Sequence, residues 1–294
     1  MKKLKGIIFV IAGAASYGIL ATFVKLAGSQ GYSTASVTFA QFITGFIVLA
    51  VADLLFRKKA VSPPEASAAG KKDFRKLVLG GTCLGLTSTF YYLSVQYLPV
   101  SVCIILLMQT VWMGILVDCV RNKKLPQLSQ ILVILVVLAG TVLATGLITA
   151  GAQWSFRGMI YGFMAAMTYT GSMYAANHVA LRRPLFYRSK LLVLGGLLAI
   201  IIFWNLHIIS DFRPEVLLKW GIFLGVFGTI LPPVLFSKGF PAIGLSLGSV
   251  LAAIEIPVSI VTAHIVLHEN VTLLQLLGCA LIILGIALQN KAHT

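Results

Sequence analysis

Residues 251 to 261 read LAAIEIPVSIV, placing Glu255 inside an apolar run that extends from Ile243 to Leu267, with Pro257 two positions further on. At 1.5 Å per residue such a helix is about 36 Å long, enough to cross the hydrocarbon core of a bilayer. Glu255 then stands about 18 Å along it, near mid-membrane. An ionisable residue at that depth must face the bundle interior or a wet cavity, and its default reading is functional. The structural alternative is a carboxyl group that hydrogen-bonds to another helix and fixes packing. Pro257 has no amide hydrogen, so in a continuous helix the carbonyl of Ala253 loses its partner. An acid and an unpaired acceptor side by side would make a polar site. Pro232 and Pro233 are expected to free the carbonyls of Gly228 and Thr229 in the same way.

The rest of the chain is of the same kind. Of its 294 residues 59% are hydrophobic and only 11% charged, the composition of an integral membrane protein. Ten apolar segments can be cut at turn signals and charge clusters, at about 6–27, 34–56, 75–97, 100–120, 128–149, 158–180, 189–206, 217–238, 243–267 and 271–290. The fold expected is therefore an all-α membrane protein of ten transmembrane helices. A net charge of +15 would suit nucleic-acid binding only if the basic residues shared one folded surface, and here they lie in short loops. With the amino terminus inside, all of the 23 basic residues except Lys25, Arg157, Arg213 and Lys219 fall on the inner side. That bias predicts a multi-pass protein of the inner or plasma membrane with both termini cytoplasmic, bilayer lipid as its surroundings and no nucleic-acid partner. Residues 57–76, RKKAVSPPEASAAGKKDFRK, read as a solvated loop. Cys83, Cys103, Cys119 and Cys279 have no metal-ligand spacing and read as small core residues.

An internal repeat divides the chain. GIIFVIAGAASYG from Gly6 resembles GMIYGFMAAMTYT from Gly158, which aligns Tyr17 with Tyr169, and QILVILVVLAG from Gln130 matches QLLGCALIILG from Gln275. The expected halves are 1–150 and 151–294, each with five spans. Because five is odd, consecutive halves lie in opposite orientations across the bilayer, the inverted arrangement through which carriers alternate access.

The repeat starts at Gly6 and Gly158, the block IEIPVSIVTAHIVLHENVTLLQLLGCALIILG from Ile254, and its weaker counterpart LLMQTVWMGILVDCVRNKKLPQLSQILVILVVLAG from Leu106 resemble the EamA type of the drug/metabolite transporter superfamily. The resemblance covers essentially the whole chain. It implies a secondary transporter, not an enzyme, that exports a small organic metabolite such as an amino acid or related compound. Two features depart from the family pattern. The Gly-Glu pair common before the last span of each half is replaced by His268 and Glu269 in the second half and by the basic RNKKL in the first. The Glu-Pro pair of the penultimate span is spread over Glu255, Ile256 and Pro257, while the first half offers Gln109 and Trp112 in that region.

Candidate residues follow. Glu255 is assigned to substrate binding or coupling: as an acid that can take up a proton it suits proton coupling, and ionised it suits a substrate amine. Gln109 and Trp112, three apart, share a helix face and could orient and stack a ligand, or simply make an interhelical hydrogen bond and a packed indole. Tyr17, Tyr169 and Asn177 complete the expected lining, with Pro257, Pro232 and Pro233 as helix breaks. Tyr91 and Tyr92 add aromatic surface, and Trp154, Trp204 and Trp220 suit the interfacial belt. Lys25 either snorkels to the interface or captures an anionic group. His264, His268 and Glu269 do not follow the order of a zinc protease, and no metal site is assigned. GxxxG pairs at Gly81/Gly85, Gly158/Gly162, Gly221/Gly225 and Gly244/Gly248 read as packing faces. There is no phosphate-binding loop, and no cofactor is expected. A passive channel or facilitator is the rival reading; an intramembrane enzyme is a further one, for which Glu255 with His178 is the pair to test.

Overall fold

The structure, a computed structural model, describes residues 2–56, 68–98, 100–144, 155–268 and 270–292. Every regular element among them is helical. The first three spans are Lys2–Ser29, Thr34–Leu55 and Ala68–Tyr97; the fourth is in two pieces, Val100–Leu107 and Thr110–Asn122; the fifth is Leu128–Ala144. The sixth is Phe156–His178 and the seventh Leu185–Trp204, followed by a short helix, Leu206–Asp211. The eighth runs Leu217–Ile243, the ninth is again in two pieces, Leu245–Ala252 and Glu255–Leu267, and the tenth is Leu273–Ala292. These are the ten spans read from the sequence. The expected junction between residues 150 and 151 falls outside the described residues, as do Arg57, Lys58, Lys59, Trp154 and Glu269.

Part of the expected 57–76 loop is corrected: the third span already begins at Ala68, through the charged run KKDFRK. Hydropathy marks where a helix leaves the hydrocarbon, whereas the helix itself continues into water wherever its hydrogen bonds and ion pairs allow. Here Asp73 on that extension meets Arg183 Nε at 2.9 Å.

Among the described residues seven helices are long and apolar enough to cross a membrane by themselves. The third and sixth, which are not in that set, pack on each other, the third also on the seventh and the sixth also on the fourth and eighth. The packing carries the repeat. The third meets the sixth as the eighth meets the first; the third meets the seventh as the eighth meets the second; the first meets the ninth as the sixth meets the fourth. Three further pairs, second with seventh, fourth with ninth and fifth with tenth, map onto themselves. Replacing each span by the one five places along returns these principal contacts, which is the two-fold relation of inverted five-helix repeats, while the packing of the sixth span on the eighth has no counterpart of similar extent between the first and third.

Lipid tails are as apolar as side chains, so close packing and interhelical hydrogen bonds, more than water exclusion, hold such spans together. Gly81 and Gly85 let the third span lie directly against the backbone of the seventh at Leu192 and Gly196, where no side chain would fit. The largest core cluster, around Met108, Met173, Phe236, Phe240 and Leu251, fills the meeting place of the fourth, sixth, eighth and ninth spans.

The face on which the first span begins and the tenth ends is tied by charges. Lys190 meets the buried Asp53 at 2.5 Å. Arg188, only 4% exposed, donates to three carbonyls instead of a carboxylate: Ala176 at 2.6 Å, Ser237 at 3.0 Å and Val179 at 3.1 Å. One guanidinium thus joins the ends of the sixth and eighth spans to the start of the seventh.

Candidate functional site

The ninth span breaks between Ala252 and Glu255. Around the break the backbone tightens to three-residue hydrogen bonds: Ala253 N–H donates to Val250 (3.1 Å), Ile254 to Leu251 (3.2 Å) and Ile256 to Ala253 (3.1 Å). The Ala253 carbonyl is therefore not the unpaired acceptor expected from the sequence. Pro257 sits in the first turn of the new helix, where its missing amide would have had no helical partner in any case. What the break supplies is the position of Glu255, the first residue of that helix, rather than a bare carbonyl.

Glu255 is half-buried and faces a cavity of about 60 Å³. Tyr17, Tyr91, Tyr92 and Tyr169 line it, with Thr87 and Ser88 as further polar groups. The Tyr169 hydroxyl donates to Glu255 Oε2 at 3.4 Å, and Tyr17 meets the Tyr169 ring edge to face at a centroid distance of 5.9 Å. The first span can approach this closely because residue 18 is glycine: a methyl group there would lie 2.5 Å from the Glu255 carbonyl oxygen. The structure so brings together three of the expected residues, Glu255, Tyr17 and Tyr169. Tyr91 and Tyr92, noted only as aromatic surface, belong with them.

Ala21, Tyr91 and Tyr92 also line a second space of about 240 Å³, which reaches exposed Lys25, Gly28 and Gln96 at the face opposite the chain ends. Lys25 therefore belongs to a vestibule, one compartment away from the acid. On the other side of Tyr17 lies a smaller space of about 10 Å³ beside Gly80, Ser172, Ala176 and Pro233. The Ala176 carbonyl is one of the three that Arg188 holds. Along the bundle axis the order is vestibule, Glu255 chamber, Tyr17, small cavity, Arg188.

The other expected residues lie elsewhere. Gln109 and Trp112 are turned to each other, with the indole N–H donating to Gln109 Oε1 at 2.8 Å, and neither lines the chamber. Gln109 Nε2 also donates to the Ile105 carbonyl at 3.0 Å, replacing the Gln109 amide, which has moved to Leu106. Asn177 is 5% exposed; with its amide donating to the Phe240 carbonyl (2.9 Å) and accepting from Leu245 N–H (3.1 Å), it fixes the turn between the eighth and ninth spans at Gly244. Pro232 and Pro233 follow a π-helical stretch, Gly225–Ile230. Leu231 N–H bonds to the Val226 carbonyl and residue 232 has no N–H, so the Phe227 carbonyl loses its helical donor as well; Ser16 of the first span supplies one at 2.6 Å. His178 stacks near Tyr174 at 4.6 Å and is not among the residues lining the Glu255 chamber. His264 and His268 end the ninth span, and among the described residues no group of three or more His, Cys, Asp or Glu could hold a metal ion.

Thr110, a polar residue at depth in the fourth span, is not among the residues expected to line the site. The two broken spans superpose at one constant offset, Val100 on Leu245, Leu107 on Ala252 and Thr110 on Glu255, so the repeat mate of the acid is Thr110, not Gln109 or Trp112. Thr110 is fully buried and shares a 2.7 Å hydrogen bond with Thr170, the neighbour of Tyr169. A gap-free alignment of the two helix breaks singles it out, whereas depth in an apolar run does not separate it from the other polar residues there.

A family model described as the EamA-like transporter family matches residues 4–146 and again 156–290. An uncharacterized transporter of Archaeoglobus fulgidus is 24% identical over 278 residues, which covers 94% of this chain and 93% of the relative. A protein of known crystal structure shares the fold over 98% of both chains with a TM-score of 0.77, at 17% identity. Two family matches that between them take in nearly every span, on a fold of two inverted five-helix halves, lead to one statement: the chain belongs to the EamA-like transporter family and is a multi-pass membrane transporter, not an enzyme.

Proposed function

We propose that this transporter is a secondary carrier that moves a small organic metabolite outward across the inner or plasma membrane by alternating access, with both termini cytoplasmic. The moving bodies are the halves 1–150 and 151–294, and Glu255 is the residue that binds the substrate or carries a coupling proton. One observation supports this above the rest: the acid stands at the break of the ninth span, beside the first and sixth, in a chamber that shares Ala21, Tyr91 and Tyr92 with a vestibule on one face and Tyr17 and Leu84 with a smaller space on the other. With the termini inside, the vestibule belongs to an outward-facing arrangement, and Arg188 together with the Lys190–Asp53 pair closes the inner face. A passive channel would need a continuous wet path; here Arg188, bonded to three carbonyls, fills the inner end beyond the three spaces, which favours a carrier.

The test compares metabolites inside and outside cells that express the wild type, Glu255→Gln or neither. Accumulation of a compound in the medium only with the wild type, at equal membrane abundance of the variant, is the expected result. Equal export by both proteins would make the carboxylate structural. A flux that neither saturates nor responds to a proton gradient would favour the channel.

A further inference from the structure

We propose that the Glu255 chamber selects organic cations, an amine or quaternary ammonium group on an apolar body. This rests on the reading of the chamber as the carrier's binding site and names what that site takes.

The lining carries one charged side chain, and it is acidic: no Lys, Arg or His is among the described residues around the chamber. Four of the lining side chains are tyrosines. An aromatic ring attracts a cation to its face through its quadrupole, an effect that grows when water is excluded, and several rings around one cation form the usual cage for alkylammonium groups. The rings here are not stacked flat on one another. Tyr17 and Tyr169 meet at 82° and Tyr91 and Tyr92 at 57°, so each contact covers at most one face of a ring. Leu20, Leu84 and Leu107 supply apolar wall for the remainder of the ligand. Tyr169 engages Glu255 Oε2, which leaves Oε1 for an ammonium donor.

The same geometry disfavours the other charge types. An anion would meet the carboxylate with no cation beside it. A zwitterionic α-amino acid carries its charges two bonds apart, about 2.5 Å. Lys25 lies two helical turns, about 11 Å, along the first span from Gly18, the residue in contact with Glu255. Glu255 and Lys25 therefore stand in different compartments and do not converge on charges that close together.

The experiment uses the purified full-length protein in lipid nanodiscs and three probes with one ring body and three charges: phenethylamine, phenylalanine and 3-phenylpropionate. Benzyltrimethylammonium is added as a permanent cation. By calorimetric titration the two cations are expected to bind saturably and at least about tenfold more tightly than the zwitterion or the anion. Glu255→Gln, which keeps an oxygen for Tyr169, should lower cation affinity about tenfold or more. Tyr91→Phe should stay within about threefold of the wild type and Tyr91→Leu should lose about fivefold, because the ring face is kept in one and lost in the other. Equal or better binding of phenylalanine or phenylpropionate overturns the proposal. So does failure of both cations to bind at millimolar concentration, or a Glu255→Gln variant that binds them as the wild type does. Counterflow of phenethylamine in proteoliposomes separates the two readings: binding without counterflow breaks the carrier and leaves the cation site, whereas counterflow of the zwitterion or anion alone breaks the cation site and leaves the carrier.

Discussion

The fourth and ninth spans break at the same place in their repeats and mend the break differently. In the fourth, a glutamine side chain replaces the lost backbone donor: Gln109 Nε2 bonds the Ile105 carbonyl, and its other end is held by Trp112. In the ninth, the equivalent Val250 carbonyl takes the Ala253 N–H at 3.1 Å instead, and Pro257 removes an amide that needs no partner; the other two three-residue bonds, Ile254 to Leu251 and Ile256 to Ala253, recur in the fourth as Gln109 to Leu106 and Val111 to Met108. The residue that opens the second helix then decides what each break is for. At the fourth it is Thr110, sealed against Thr170 with no exposure; at the ninth it is Glu255, opposite Tyr169 and open to a cavity. A two-fold repeat has thus become one rigid joint and one polar chamber, and the side chain at a single equivalent position marks the difference.

The largest expected effect comes from making the joint resemble the chamber. Thr110→Glu places an acid where no cavity receives it and should destabilise the protein by about 3 kcal/mol, seen as a drop in thermal unfolding temperature in detergent. The reverse change, Glu255→Gln, is expected to leave that temperature nearly unchanged and lower transport about 100-fold, equivalent to about 2.7 kcal/mol; retained transport would remove the functional side of the comparison. Gly18→Val pushes the first span off the Glu255 backbone and should cost about 2 kcal/mol of stability, whereas Thr170→Val at the matching position in the sixth span should cost about 1 kcal/mol for its lost hydrogen bond. Gln109→Leu should lower stability by about 1 kcal/mol through the unpaired Ile105 carbonyl and leave substrate affinity alone. A changed affinity there would mean that the fourth break also touches substrate. The smallest effect belongs to Tyr169→Phe: the 3.4 Å bond to Glu255 is long, and affinity should change less than about threefold.

Much of this molecule can be read without coordinates. Span number, the charge bias and the repeat of Tyr17 on Tyr169 are properties of composition and order along the chain, and the packing agrees with the spans and the repeat. Glu255 stood out because an acid in an apolar run has few structural excuses. Gln109, Trp112 and Asn177 looked equivalent to it, since polarity at depth does not tell whether a side chain faces a cavity or a neighbouring backbone. The proline rule failed at Ala253 for a related reason: it assumes a continuous helix, and the chain instead shortened its hydrogen bonds by one residue. At Pro232 a π-helical stretch shifted the register, so the Phe227 carbonyl also lost its donor, and that carbonyl went to Ser16 of a distant span.

What the sequence by itself determined is therefore the environment and the symmetry: a bilayer-embedded chain of ten helices in two related halves, because hydrophobic length and basic-loop bias act locally along the chain. Only the tertiary structure decided which polar residues share a space. The four tyrosines come from the first, third and sixth spans and the acid from the ninth, and whether they enclose a cavity or seal a joint depends on how closely those helices approach. That distance is set by glycines such as Gly18, Gly81 and Gly85 meeting backbone on another span, a contact between residues far apart in sequence and invisible to any window along it.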